Sequence, residues 1–266
     1  MSYYSNKVVW ITGASSGIGE SLVHGLLKEG AYVILSSRRK DELQRVVMET
    51  GTTADRFKVL ELDLSDHSSL KSKTDEAVSW KGHIDILINN GGVSQRSLAQ
   101  NTNLSVEKGI FDVNYFGTIE LTRHVVPFMI QRGAGHINVV SSVLGKISVP
   151  GRSTYCATKH ALQGYFDTLR SELHQHGVHV SVVCPGYILT NVSKNAVTAD
   201  GKPHNITDKT HQKGMSADVF ARKMLKKIAR GRNEFYIGGP EVLSVYMMRW
   251  FPWLVFRVQR MIKFKG

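Results

Sequence analysis

The sequence predicts an α/β fold: one doubly wound, Rossmann-type domain with a parallel sheet covered by helices on both faces. Three observations predict it. Short apolar runs rich in β-branched residues alternate with stretches of helical spacing. The runs are almost continuously apolar, as in strands buried on both faces of a parallel sheet. No segment rich in Pro, Gly or Ser divides the chain, so we expect residues 1–240 to form one domain.

The elements follow one another in a repeating strand and helix order. VVWITGA at 8–14 gives the first strand, and the helix in SGIGESLVHGLLKEG ends at Gly30. KDELQRVV gives the helix after the second strand, and STYCATKHAL lies in a later helix rich in small residues. The remaining strands are predicted within AYVILSS, RFKVLELDLSD, IDILINNGG, HINVVSS, HVSVVCPG and EFYIGG, the last over residues 234–239.

Composition and charge limit the classes of partner. The 266 residues carry a formal charge of +12, which favours a nucleic acid, a membrane surface or a phosphorylated cofactor. No zinc-ligand spacing and no nucleic-acid-binding motif is present, so we expect neither a metal site nor a nucleic-acid partner. The only cysteines are Cys156 and Cys184, and the first residues contain no apolar run typical of a signal peptide. These features predict a cytoplasmic protein.

A glycine-rich turn follows the first predicted strand. Its glycines, Gly13, Gly17 and Gly19, have the spacing G-x-x-x-G-x-G. Backbone amides at the start of a helix in this position can hold a pyrophosphate. A tight turn that needs positive φ explains Gly13 but not the spacing of all three. The predicted phosphate-binding residues are Gly13, Ser15, Ser16, Gly17, Ile18 and Gly19.

The end of the second predicted strand indicates which cofactor binds. An acidic residue there would bond a ribose 2′-hydroxyl, whereas arginine accommodates a 2′-phosphate. The sequence has Arg38 and Arg39 at this point and no acid. A solvated basic turn is the alternative, but beside the glycine-rich turn the two arginines favour NADP(H) over NAD(H).

Tyr155 and Lys159 are four residues apart in a predicted helix. Positions i and i+4 lie on one helix face, so the two polar ends converge. A nearby cation favours the phenolate and moves the tyrosine toward use as a general acid or base. Such pairs also occur by chance on exposed helices, so the pair alone does not establish a catalytic site.

Taken together, these motifs resemble the short-chain dehydrogenase/reductase family over residues 7–240. The resemblance rests on TGASSGIG, NNGG at 89–92, Asn114 in DVNYFG, Ser142, Tyr155 with Lys159, and PGYILT at 185–190. Within the family, NNGGVSQRSL and YCATKHALQGYF are most similar to the dehydrogenase/reductase member 7 group and related hydroxysteroid dehydrogenase-like enzymes. The resemblance also implies a homodimer or homotetramer.

The resemblance assigns further cofactor contacts by position. It implies that Asp63 and Leu64 border the adenine and that Asn90 and Gly91 border the adenosine ribose. The family most often has alanine where this chain has Gly91, a change that should loosen the turn without removing backbone contacts. The residues implied at the nicotinamide end are Pro185, Gly186, Ile188 and Thr190, the last two at the carboxamide.

The resemblance also implies a reaction: hydride transfer between a nicotinamide and a carbonyl or alcohol. Tyr155 is then the general acid in reduction and base in oxidation, and Ser142 polarises the substrate oxygen. Lys159 lowers the pKa of the tyrosine and binds the nicotinamide ribose, and Asn114 positions a water in a relay through Lys159. Ser141 competes with Ser142, but alternation along the strand turns only one of them toward the substrate.

The predicted substrate pocket is largely apolar. A lid rich in Gly, Pro, Asn and Asp is predicted over residues 191–215. We therefore expect a lipophilic ketone, aldehyde or secondary alcohol. A cofactor-binding regulatory or scaffold protein without catalysis is the alternative function, although it would not need all four catalytic residues. The residues expected to line the pocket are Val93, Val143, Leu144, Ile147 and Tyr187.

The C-terminal tail, residues 241–266, combines apolar and basic residues, and no acid follows Glu241. This composition predicts amphipathic helices that contact an anionic membrane peripherally. Arg249 and Pro252 interrupt the apolar run, so a membrane span is not expected. Packing over the substrate pocket or a partner subunit is the alternative. The residues concerned are Val242, Val245, Tyr246, Trp250, Trp253, Leu254 and Phe256, with Arg249, Arg257, Arg260, Lys263 and Lys265.

Overall fold

The computed structural model describes residues 2–206 and 212–262. Its main sheet confirms the predicted parallel arrangement. The strands are β1 (Val8–Thr12), β2 (Tyr32–Ser37), β3 (Phe57–Glu61), β4 (Ile86–Asn89), β5 (Gly135–Val140), β6 (Val178–Pro185) and, after two short strands, β9 (Glu234–Ile237). Their order across the sheet is β3-β2-β1-β4-β5-β6-β9, with every neighbouring pair parallel.

Helices cover both faces of this sheet. They are α1 (Gly17–Lys28), α2 (Lys40–Met48), α3 (His67–Lys81), α4 (Leu104–Phe111), α5 (Gly117–Arg132), α6 (Ser153–Leu173), α7 (Ala217–Ala229), α8 (Leu243–Trp250) and α9 (Pro252–Met261). Buried side chains of α1, α2 and α7 pack on one face of the sheet. Those of α3, α5 and α6 pack on the other.

The first strand shows why its apolar residues are continuous. Val9 and Ile11 belong to one core and Val8 and Trp10 to the other, and all four are almost fully buried. Successive strand residues point to opposite faces, so a strand covered on both sides needs apolar residues at every position. The chain leaves β1 toward β2 on one side, whereas β4 lies on the other. This reversal opens a crevice at the carboxyl ends of β1 and β4.

Two features of the fold are not visible in the sequence pattern. A separate two-stranded pair joins β7 (Ile188–Leu189) to β8 (Met215–Ser216), and strands of two residues leave no periodic signal. A π-helical turn, Asp112–Phe116, lies between α4 and α5 and carries Asn114. Such turns interrupt helices at functional sites.

The tail folds into α8 and α9 and packs on the domain. Val245 is buried with Val143, Leu144 and Ile147, and Val255 is also buried. Over the ranges that the structure describes, no helix combines the length and apolar character needed to cross a bilayer. Lys263 and Lys265, predicted as part of the basic tail, lie outside the described residues, as do residues 207–211 of the predicted lid.

Candidate active site

A cavity of about 600 Å³ lies at the carboxyl ends of the central strands. It collects most of the residues predicted from the sequence. Gly19 and Asn114 are not in its wall, but each contacts a wall residue: Gly19 lies against Gly13, and Asn114 is hydrogen-bonded to Val93. The predicted residues in the wall are Gly13, Ser15, Ser16, Gly17, Ile18, Arg38, Arg39, Asp63, Leu64, Asn90, Gly91, Ser142, Tyr155, Lys159, Pro185, Gly186, Ile188 and Thr190.

The glycine-rich turn has a separate physical reason for each glycine. Gly13 and Gly17 have φ of 66° and 58°, a region that side chains disfavour. A Cβ on Gly19 would lie 2.2 Å from the carbonyl oxygen of Gly13, so α1 approaches the turn too closely for any side chain. The turn and the first amides of α1 therefore form an open cradle of the kind that holds phosphates.

The loop after β4 is fixed to the end of β1. The hydroxyl of Thr12 accepts hydrogen bonds from the backbone amides of Asn90 and Gly91, at 3.1 and 2.9 Å. The Asn90 side chain donates to the carbonyl oxygens of Thr12 and Gly13. A Cβ on Gly91 would lie 2.8 Å from the end of the Leu64 side chain and 3.2 Å from the Thr12 hydroxyl. Glycine leaves room for the backbone contacts of this turn.

Arg38 and Arg39 lie at the carboxyl end of β2, beside the glycine-rich turn. Arg39 donates from Nη2 to the hydroxyls of Ser15 and Ser16, at 3.0 and 3.2 Å. Both arginines are exposed in the wall of the cavity. The phosphate cradle and two guanidinium groups thus lie at one end of the cavity. Asp63, after β3, accepts from the amide and hydroxyl of Ser65.

Asn114 connects three parts of the site. Its Oδ1 accepts from the Val93 amide at 2.7 Å, and its Nδ2 donates to the Val93 carbonyl and to the Thr158 hydroxyl. A Cβ on Gly92 would lie 3.0 Å from Asn114 Oδ1 and 3.7 Å from Lys159 Nζ. The ends of Asn114 and Lys159 therefore meet at Gly92.

The two adjacent serines after β5 have different surroundings. Ser141 donates to the backbone carbonyl of Lys159 and accepts from Gln163, which holds it against α6. The Ser142 hydroxyl accepts from the Leu144 amide at 3.1 Å. It also lies close enough to the Tyr155 phenol to lower the pKa of that group. Ser142 and Tyr155 thus present two neighbouring hydroxyls to the cavity.

Lys159 lies beside Tyr155 on one face of α6. Lys159 Nζ is 5.7 Å from the centre of the Tyr155 ring, as the helical spacing predicts. It donates to the Val140 carbonyl at 2.9 Å, and burial lowers its own pKa to about 8. The pKa of Tyr155 is raised because burial disfavours the phenolate, and the nearby Arg152, Ser142 and Arg96 oppose this rise. That Lys159 lowers the pKa of Tyr155 stays a prediction.

Gln95 is a site residue that the sequence did not reveal. Its Oε1 accepts from the amides of Thr154 and Tyr155, at 2.8 and 3.3 Å. Arg152, which precedes α6, makes no capping bond with its side chain. Gln95 therefore satisfies two of the free amides at the start of α6 and holds the helix turn that carries Tyr155.

Glu241 is the second residue missed. Its Oε1 accepts from the backbone amides of Tyr187 and Gly239, at 2.8 and 2.9 Å. A Cβ on Gly186 would lie 1.9 Å from the same oxygen. The start of the tail is thus fixed against the loop of Pro185 to Thr190, in which Ile188 is buried and Thr190 contacts Gly17.

The other end of the cavity is apolar. The described part of the predicted lid adds Asn191, Val192 and Asn195 and is held to the loop after β4 by bonds between Val197 and both Ser94 and Arg96. Side chains of α9 close this end, a role for the tail that the sequence left as an alternative. The apolar wall residues are Val93, Val143, Leu144, Ile147, Val149, Val255, Val258 and Ile262.

Comparison with known proteins agrees with this architecture. Residues 7–201 match the family model described as short chain dehydrogenase. Dehydrogenase/reductase SDR family member 7B of Danio rerio is 42% identical over 260 residues, covering 95% of this chain and 84% of that protein.

Two solved structures show the same fold. One is a short chain dehydrogenase from Burkholderia cenocepacia in complex with NADP, with a TM-score of 0.80 and 23% identity over 97% of this chain and 99% of that one. The other is a short chain dehydrogenase/reductase from Burkholderia phymatum in complex with NAD, with a TM-score of 0.83 and 22% identity over 100% and 99%. On the family model, the relative and the arrangement of the site, the chain belongs to the short-chain dehydrogenase/reductase family of oxidoreductases.

Proposed function

We propose that this protein is an NADP(H)-dependent oxidoreductase that interconverts a carbonyl group and an alcohol on a lipophilic small molecule. The observation that carries the proposal is that Ser142, Tyr155 and buried Lys159 all line one cavity, with Lys159 Nζ 5.7 Å from the centre of the Tyr155 ring. These groups lie between the phosphate cradle and the apolar end of one continuous cavity. A substrate at the apolar end would place its oxygen against the two hydroxyls.

The residues of the cradle fit a dinucleotide. The space left by Gly13, Gly17 and Gly19 brings backbone amides to a pyrophosphate, and a Cβ at Gly19 would clash with the turn itself. When bound, the nicotinamide supplies or accepts the hydride. Ile188 and Thr190 would hold its carboxamide, and Lys159 would bond its ribose.

The side chains of this chain handle the proton. In reduction, Tyr155 donates its phenolic proton to the substrate oxygen as the carbonyl carbon gains the hydride, and Ser142 donates a hydrogen bond to the same oxygen. In oxidation, the phenolate accepts the alcohol proton. Because burial raises the pKa of Tyr155, the phenol is the predominant form at neutral pH, which is the form that reduction requires.

Arg38 and Arg39 support the preference for NADP(H). They occupy the end of β2, where a ribose 2′-phosphate would lie, and no carboxylate occurs there to accept from a 2′-hydroxyl. Arg39 also reaches the Ser15 and Ser16 hydroxyls. Of the two solved structures with this fold, one is a complex with NADP and the other a complex with NAD. The preference for NADP(H) is therefore argued from Arg38 and Arg39 of this chain.

A panel of ketones and aldehydes of increasing apolar size, followed by loss of NADPH absorbance, tests the proposal. We expect turnover to rise with apolar size and to be lost in Tyr155→Phe, which keeps the ring but has no proton to donate. NADPH binding, followed by fluorescence, should remain in that variant. NADPH binding without turnover of any compound by the wild type would instead identify a cofactor-binding protein without catalysis. Wild-type rates in Tyr155→Phe would disprove the mechanism.

A further inference from the structure

The tail presents a large exposed apolar surface on its outer side. Trp250 and Met261 are each 74% exposed, and Trp253 is 65% exposed. Of the large apolar residues exposed in the described part of the chain, nine of the fifteen fall between Leu243 and Ile262, and seven of these nine do not line the cavity. Single exposed apolar residues are normal, but contiguous patches mark interaction sites.

Helix α9 has two faces with different surroundings. Trp253, Phe256, Arg257, Arg260 and Met261 have the spacing of one helix face, and all five are exposed. We call this set the outer face of α9. Val255, Val258, Gln259 and Ile262 have the spacing of the other face, and all four line the cavity. One short helix therefore separates the cavity from the exposed surface.

The outer face is positively charged as well as apolar. Arg249, Arg257 and Arg260 are exposed, and no acid follows Glu241 in the sequence. Aromatic residues and arginines on one face suit the boundary between anionic headgroups and acyl chains. A second copy of this chain fits less well, because a two-fold contact through the same patch would place like charges together.

We propose that the outer face of α9, together with Trp250, docks on an anionic lipid surface, and that lipophilic substrates enter the cavity from the lipid past α9. The docking follows from the exposed surface alone. The delivery of substrate rests on the proposed function. The Gln259 side chain donates to the Ser148 carbonyl at 2.6 Å and so links α9 to the loop after β5. Breaking this hydrogen bond would let α9 move away from the loop and widen the entrance to the cavity.

Sedimentation of the full chain with phosphatidylcholine vesicles, with and without phosphatidylserine, tests the docking. We expect the wild type to bind only the vesicles that contain phosphatidylserine. We expect Trp253→Gln/Phe256→Gln to bind these vesicles with several-fold lower affinity. Arg257→Gln/Arg260→Gln should bind roughly thirtyfold more weakly, because each cation near an anionic leaflet contributes about 1 kcal/mol. Met48→Gln is the matched control, since Met48 is an exposed apolar residue on α2, and it should bind as the wild type does.

Quenching of tryptophan fluorescence by brominated lipid measures insertion. Trp250 and Trp253 should be quenched and buried Trp10 should not, so Trp250→Phe/Trp253→Phe should lose most of the quenching. Wild-type protein that stays in the supernatant with anionic vesicles at low salt overturns the docking. Vesicle binding by Trp253→Gln/Phe256→Gln that equals wild-type binding, with the thermal stability of the variant unchanged, also overturns the docking. A fall in molecular mass of that variant on gel filtration, with no vesicle binding by the wild type, would identify a second copy as the partner.

Delivery is tested separately. Anionic vesicles should accelerate wild-type reduction of a lipid-dissolved ketone but leave reduction of a water-soluble ketone unchanged. Trp253→Gln/Phe256→Gln should lose only the acceleration. An acceleration of equal size in this variant overturns delivery through the outer face. Absence of turnover with both ketones would refute the proposed function, while the sedimentation result would stand.

Discussion

Gln95 holds the backbone of Tyr155: the side-chain oxygen of the first lies 3.3 Å from the amide nitrogen of the second. Gln95 itself is fully buried. We expect Gln95→Ala to misplace the first turn of α6 and to lower kcat about tenfold or more, with a smaller change in the KM for NADPH. Loss of the two capping bonds should cost about 1–2 kcal/mol of unfolding free energy.

Gln175→Ala is the matched control, because Gln175 is exposed and remote from the cavity. Steady-state kinetics and thermal unfolding of both variants check the expectation. If Gln95→Ala loses stability but keeps the wild-type kcat, the residue is structural and does not position Tyr155.

Arg152 should control the pH dependence of oxidation. Burial raises the pKa of Tyr155, and Arg152 is the first of the charged groups that lower it. Oxidation needs the phenolate, so its rate should rise with pH. In Arg152→Gln the rise of the oxidation rate should occur at higher pH. At any one pH within the wild-type rise, the variant should therefore oxidise the alcohol several-fold more slowly. Arg152→Lys, which keeps the charge, should retain the wild-type profile, and identical profiles for all three proteins would assign the effect to another group.

Arg38 should discriminate between the two cofactors. Removal of a charge-assisted bond to a 2′-phosphate costs about 1.5–3 kcal/mol, so Arg38→Ala should bind NADPH about ten- to hundredfold more weakly and NADH almost normally. Arg39→Ala should weaken both, since Arg39 also bonds the turn that holds the pyrophosphate. Fluorescence titration measures both constants, with exposed Arg222→Ala as the control. Equal losses for the two cofactors in Arg38→Ala would contradict the assignment.

Lys159 should make the stability of the cofactor-free protein depend on pH. Its pKa falls from 10.5 to about 8 because burial disfavours the ammonium form. Below about pH 8 the amine is protonated in both the folded and the unfolded state, and the folded state carries the cost of a buried charge. As the pH rises to 10.5 only the unfolded state keeps the proton, so this cost is relieved.

We therefore expect the unfolding free energy of the wild type to rise by about 3 kcal/mol relative to Lys159→Met over this range of pH. Denaturant unfolding at several pH values measures it. Lys223→Met, which removes an exposed amine, should stay parallel to the wild type. A constant difference between wild type and Lys159→Met would show that the buried amine keeps its ordinary pKa.

The sequence predicted the sheet because buried parallel strands require apolar residues at every position, as Val8 to Ile11 show. It also predicted the glycine-rich turn, where positive φ at Gly13 and close approach at Gly19 leave no alternative residue. The roles of Gln95 and Glu241 were missed because each accepts from backbone amides more than fifty positions away, and such bonds depend on the fold alone.

The electrostatic surroundings of Tyr155 also depend on the fold. Helical spacing predicts the distance between Tyr155 and Lys159, but the pKa of Tyr155 also depends on burial and on Arg96, which reaches the site from the loop after β4. The amphipathic tail was predicted as well. Which face of α9 lines the cavity follows only from the folded positions of Val255, Val258 and Gln259.

The closure of the cavity by α9 has a consequence for how this enzyme can diverge. The proposed phosphate cradle follows the first strand, whereas part of the apolar wall of the cavity is contributed by the last described helix, which follows the final strand of the sheet. Substitutions in that helix can therefore change substrate selection without disturbing the sheet or the cradle. Laboratory exchange of α9 alone between relatives, with Glu241 and its contacts to Tyr187 and Gly239 kept, should therefore change substrate preference and leave cofactor affinity unchanged.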